Sequence, residues 1–144
     1  MDHRITDAPT GAYSWLTWLL AAATVGYTLV LVFATHYPNP QALVGRNPPS
    51  DKILHLAAYG VLGFLVTATL GAAGRSSART LLTTGAALAV FGVLDEATQP
   101  LPWFRRHADP LDWVFDCAGI AGGIVAGATI LAVVRSLARL LARQ

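Results

Sequence analysis

The stretch Trp113-Val114-Phe115-Asp116-Cys117-Ala118-Gly119-Ile120-Ala121-Gly122-Gly123, which runs on through apolar residues to Val134, decides the fold. Trp113–Val134 is as long as the ~20 residues a helix needs to cross a ~30 Å hydrocarbon core. Read back into the preceding loop, Asp112, Asp116, Gly119 and Gly123 fall at i, i+4, i+7 and i+11. They form a single stripe on one helix face, acidic at one end and glycine at the other. A charged side chain facing lipid costs about 3 kcal/mol or more. The glycines form a G-x-x-x-G that lets a neighbouring backbone approach closely. The stripe is therefore expected to face other helices, and the chain to be a membrane bundle.

Three more blocks support this: Trp15–His36, Ile53–Ala73 and Thr80–Gln99. The predicted fold class is an all-α integral membrane protein, a four-helix transmembrane bundle making one domain over residues 1–144 with spans at 15–36, 53–73, 80–99 and 113–134. Charged residues make up 12% of the chain and the mean hydropathy is +0.51, against roughly a quarter charged in soluble domains. The first block exceeds the ~7–15 apolar residues of a signal peptide and lacks a strongly basic start, so it is expected to be retained as a span. The net charge of +2, without a basic run interleaved with aromatics, argues against nucleic acid. The lone Cys117 excludes an internal disulfide and a CxxC metal site.

Arg4, Arg75, Arg79, Arg135, Arg139 and Arg143 lie on the side of the termini and the 74–79 loop; Arg46, Lys52, Arg105 and Arg106 lie on the other. The positive-inside rule then puts both termini in the cytoplasm, with the acidic loops outside. Trp103, Phe104 and Trp113 are expected as outer interface anchors and Trp15 and Trp18 as inner ones. Arg135, Arg139 and Arg143, at i, i+4 and i+8, form a basic stripe suited to anionic lipid.

Six of the eight carboxylates, Asp51, Asp95, Glu96, Asp109, Asp112 and Asp116, gather at one end of the predicted spans. In Asp51-Lys52-x-x-His55-x-x-x-Tyr59, Ser50 or Asp51 is placed to cap the helix. Asp51, His55 and Tyr59 share a face, so Asp51 could fix the His55 tautomer. In Asp95-Glu96-x-x-Gln99-Pro100, the proline ends the span. Two carboxylates at a helix C-terminus oppose its dipole, so basic partners hold them or one carries a proton. Asp109, before Pro110, is a turn or cap residue that could also face the site.

D-K-x-x-H-x-x-x-Y, then D-E-x-x-Q, then R-x-x-D-x-x-D followed by G-x-x-x-G, resembles the VanZ-like membrane protein family from about Asp51 to Gly123. The resemblance implies motif positions Asp51, Lys52, His55, Tyr59, Asp95, Glu96, Gln99, Arg106, Asp109 and Asp112, a bacterial cytoplasmic membrane, and a link to resistance to the glycopeptide teicoplanin. The family usually has Asn where this chain has Asp116; a protonated Asp116 would still donate and accept like an amide.

Two functions stay open. One is a membrane enzyme or binder acting on a lipid-linked envelope precursor or an anionic small molecule at the outer leaflet. His55, Asp95, Glu96 and Asp112 are its candidate catalytic residues, with His55 as base oriented by Asp51 and Asp95 or Glu96 as acid. Asp51, Lys52, Tyr59, Gln99, Arg106, Asp109 and Asp116 are its candidate ligand-binding residues, Lys52 and Arg106 holding phosphate or carboxylate. No metal is assigned. A divalent ion on His55 with some of Asp95, Glu96, Asp112 and Asp116 is a variant, and such oxygen-rich ligands suit magnesium or manganese. The other function is a non-catalytic scaffold or accessory subunit whose polar cluster is an inter-helix network. A proton-coupled transporter fits less well, because the acids sit at one end without a relay across the membrane. Serine or cysteine nucleophile chemistry lacks a G-x-S-x-G or a base beside Cys117. On this reading the polar pocket is lined by the second, third and fourth spans, and the first span only packs.

Overall fold

The computed structural model describes residues 12–104 and 106–143. Arg4 and Arg105, both used in the orientation expectation, lie outside the described residues. The chain is helical, without strands among the described residues: α1 (Ala12–His36), α2 (Gln41–Val44), α3 (Asp51–Ala72), α4 (Ala78–Thr98) and α5 (Pro110–Leu141). All but the single-turn α2 are long and apolar enough to cross a membrane.

Local chemistry explains most helix ends. The Ser77 side chain caps α4 by accepting from the Thr80 amide at 3.2 Å. Asp109 caps α5 by accepting from the Leu111 amide at 2.9 Å, and Pro110 takes the first helical position, where no amide is needed. At α3 the expectation is corrected. Ser50 holds the N-cap position but its side chain makes no capping bond, and the Asp51 carboxylate turns to Arg106 instead. The chain leaves α3 through Gly74 at φ +70°, a left-handed conformation suited to glycine. α4 ends at Thr98, ahead of Pro100. α5 continues past the expected end at Val134, through Arg135 and Arg139. Its 32 residues span about 48 Å at ~1.5 Å per residue, well beyond the hydrocarbon thickness.

α3 and α5 form the dominant interface, α1 packs on α3, and α4 packs on α5. Glycine makes the central contact possible. A Cβ at Gly119 would strike the carbonyl oxygen of Leu56 and come within 2.9 Å of the Gly60 nitrogen; one at Gly123 would strike the carbonyl oxygen of Gly60. The stripe thus seats against α3, backbone to backbone. A small core of Leu31, Tyr59, Leu62 and Ile120 fills the centre. Most other large apolar side chains, among them Trp18, Leu82, Val125 and Leu141, point outward. So continuous an apolar exterior suits a hydrocarbon environment.

Candidate functional site

The arrangement of the helices brings the charged ends of α3, α4 and α5 together, and the end of α1 joins them. Six histidines and carboxylates here are buried although ionisable: His36, His55, Asp95, Glu96, Asp112 and Asp116, the last fully so. They belong to a network of three connected parts.

The first part lies at the helix starts. Lys52 donates to Asp109 Oδ2 at 2.8 Å and to Asp112 Oδ1 at 3.3 Å, tying α3 to α5. Lys52, together with the Leu111 amide, holds the Asp109 carboxyl below its ordinary range. Arg106 Nη2 donates to Asp51 Oδ2 at 3.0 Å.

His55 is the centre of the second part. Its Nδ1 pairs with Asp116 Oδ1 at 2.8 Å and lies 3.9 Å from Glu96 Oε1. Its Nε2 lies 3.9 Å from Asp112 Oδ2. Asp116 is therefore the residue that orients the imidazole, and Asp51 is not. The i, i+4 neighbour on α3 is drawn away by Arg106, while a helix packed at glycine distance brings a carboxylate from across the interface. Glu96 is fully engaged: Gln99 Nε2 donates to Oε1 at 2.9 Å and the Asp109 amide to Oε2 at 3.2 Å. These bonds hold the α4 end against the α5 start.

Asp95 anchors the third part. The Tyr59 hydroxyl donates to its Oδ2 at 3.0 Å and the Thr35 hydroxyl to its Oδ1 at 3.1 Å. His36 Nδ1 lies 3.6 Å from the same Oδ1, and His36 Nε2 is 2.9 Å from the Thr98 hydroxyl. α1 thus supplies Thr35 and His36 to the network, which corrects the expectation that it only packs. Neither residue, nor Thr98, stood out from the sequence. The available signal was a histidine at the same end of its span as the other charges.

All eleven residues singled out in the sequence therefore gather at this end of the helices, Asp51 and Arg106 bonding each other and no other member. They are not equally accessible. A cavity of about 160 Å³ opens between α1, the α2 segment and α3. Leu31, Leu43, Val44 and Leu54 make its apolar wall, and Asp51, His55 and Arg106 line its polar side. Four buried polar atoms among the described residues have no partner: Asp51 Oδ1, Arg106 Nη1, Gln99 Oε1 and Asp116 Oδ2. Two of the four belong to residues of the cavity wall. Asp95, Glu96 and Asp112 are not among the cavity-lining residues.

Chemically, an imidazole held at Nδ1 by a carboxylate can use Nε2 either to take a proton or to bind a metal. Among the described residues two trios could hold a cation, Asp51, His55 and Asp112, or His55, Glu96 and Asp116, each with ligand atoms mutually within 4.8 Å. No protein-family model, curated protein or solved structure matches the chain.

Proposed function

We propose that this is a VanZ-like multi-pass protein of the bacterial cytoplasmic membrane whose polar pocket binds the anionic headgroup of a cell-envelope or lipid-linked ligand. Its termini are cytoplasmic and the pocket opens to the outer face. The observation that carries this reading is the cavity that combines an apolar wall with Asp51, His55 and Arg106. Such a wall accepts the start of a lipid chain, and the free Nη1 of Arg106 can donate to a phosphate or carboxylate oxygen. The order and spacing of the D-K-x-x-H, D-E-x-x-Q and R-x-x-D-x-x-D motifs support the VanZ-like assignment, and the Arg75/Arg79 loop supports the orientation.

The test is substitution of His55, Glu96 or Asp112 with normal membrane levels retained. The expected result is a changed teicoplanin susceptibility or a changed content of lipid-linked envelope precursors. Unchanged values for all three would overturn the reading.

The scaffold alternative draws on a different observation: both oxygens of Asp95 and both of Glu96 are already bonded within the protein. It predicts that the same substitutions lower protein level or assembly and leave no specific envelope phenotype in the protein that remains.

A further inference from the structure

Asp51 and His55, which line the cavity, and Asp112, whose carboxylate faces His55, share one pattern: each is tied at one atom and free at another. Asp51 gives Oδ2 to Arg106 and leaves Oδ1 buried and unpartnered. Asp112 gives Oδ1 to Lys52 and leaves Oδ2 facing His55 Nε2 at 3.9 Å. His55, 4% exposed, gives Nδ1 to Asp116, and among the described residues none hydrogen bonds to Nε2. The geometry points to a divalent-cation site formed by Asp51, His55 and Asp112, with Asp116 as the positioning residue for the imidazole.

Four observations carry this assignment. Ligand atoms of the three residues already lie within 4.8 Å of one another. Neighbouring oxygens around an octahedral ion at ~2.1 Å sit ~3 Å apart, so the 3.9 Å between Nε2 and Oδ2 closes with a small side-chain movement. The His55–Asp116 bond reproduces the carboxylate–histidine–metal arrangement that fixes a ligand histidine's tautomer. Charge points the same way. Among the described residues the network sets six carboxylates against the fixed cations Lys52 and Arg106, a deficit that two protonated imidazoles would only halve. Finally, the Arg106 side chain is 8% exposed, leaves Nη1 unpartnered and lines the same cavity, where it can receive an anion bridging to the ion.

The alternative trio of His55, Glu96 and Asp116 is less suited. An ion there would have to displace the His55–Asp116 bond and compete for a Glu96 oxygen that already accepts a hydrogen bond. One nitrogen and two hard oxygens, beside a cavity that Asp51 and His55 line, suit manganese or magnesium. The assignment does not depend on the envelope ligand proposed above, and it is tested without one.

The experiment uses the full chain in detergent micelles, titrated with Mn²⁺ alone and followed by electron paramagnetic resonance. The expected result is saturation at one ion per chain, competed by Mg²⁺, with a nitrogen coupling from a single imidazole. Asp112→Asn and Asp51→Asn should weaken binding at least about tenfold, and Glu96→Gln should leave it within about threefold. Asp116→Ala should also cost about 10–100-fold. Asp116→Asn, which can still accept from Nδ1, should restore most of the affinity and keep the nitrogen coupling. Absence of a saturable site, bound Mn²⁺ without nitrogen coupling, or loss of binding in Glu96→Gln but not in Asp112→Asn would overturn the assignment.

Discussion

Gly122 and Gly123 are adjacent on α5, yet alanine at the two positions should have opposite consequences. At 122 an added Cβ meets nothing within 4 Å. At 123 it lands on α3 backbone, striking the Gly60 carbonyl oxygen and lying 2.8 Å from the Phe64 nitrogen and 3.0 Å from the Gly60 carbonyl carbon. Ordinary contacts of this kind are ~3.5 Å or more, so the helices must separate by at least about 0.7 Å, enough to forfeit roughly a quarter to a half or more of each affected contact. Backbone cannot rotate aside as a side chain can. Overpacking usually costs about 1–3 kcal/mol, and this is the largest helix interface in the molecule. Gly123→Ala should therefore cost about 3 kcal/mol. Gly122→Ala should be neutral or stabilising by up to ~1 kcal/mol.

The same shift reaches the site, because α3 carries His55 and α5 carries Asp116. Their 2.8 Å bond would stretch to about 3.5 Å or more, past hydrogen-bonding range. Reversible unfolding in mixed micelles gives the two stabilities. Equal stability of Gly122→Ala and Gly123→Ala would refute the backbone-to-backbone contact on which the site's geometry rests.

Further substitutions address the other parts. Thr35→Val keeps the volume but removes the hydroxyl that donates to Asp95; a loss of about 1.5–3 kcal/mol is expected for a bond to a carboxylate, whereas a neutral result in the unfolding assay would return α1 to a packing role. Trp113→Phe removes the bond from the indole nitrogen to the Ala89 carbonyl oxygen, 2.9 Å long, and should weaken the α4–α5 contact by about 1 kcal/mol, read as faster proteolysis at the 74–79 loop. Arg106→Gln removes the guanidinium from the cavity wall while Asp51 stays in place; a photoreactive anionic lipid should label this variant several-fold less than the parent, and equal labelling would speak against headgroup recognition by Arg106.

The helices were readable because hydrocarbon imposes a length and a composition that the four blocks meet directly, and Asp112-x-x-x-Asp116-x-x-Gly119-x-x-x-Gly123 announced the face that must turn inward. Pairings between helices were less legible. Asp51 and His55 are neighbours at i, i+4, a spacing visible in sequence, but the actual partner of His55 comes from sixty-one residues away on α5. Which carboxylate wins depends on how closely α5 seats and on Arg106 drawing Asp51 off, and sequence spacing records neither. Thr35 and Thr98 were missed for a related reason. A hydroxyl inside an apolar span usually bonds its own helix, as Thr28 does, and the fold turns Thr35, which also meets the Val32 carbonyl, toward Asp95.

The central claim is that the polar ends of α3 and α5 meet in the membrane through His55 and Asp116. Solid-state NMR of the chain in lipid bilayers, with labelled histidine nitrogen and aspartate carboxyl carbon, tests it most directly. A strong dipolar contact between His55 Nδ1 and the Asp116 carboxyl, absent from Asp116→Ala, is the predicted result. No such contact, with the His55 ring showing proximity to acyl chains instead, would contradict the account.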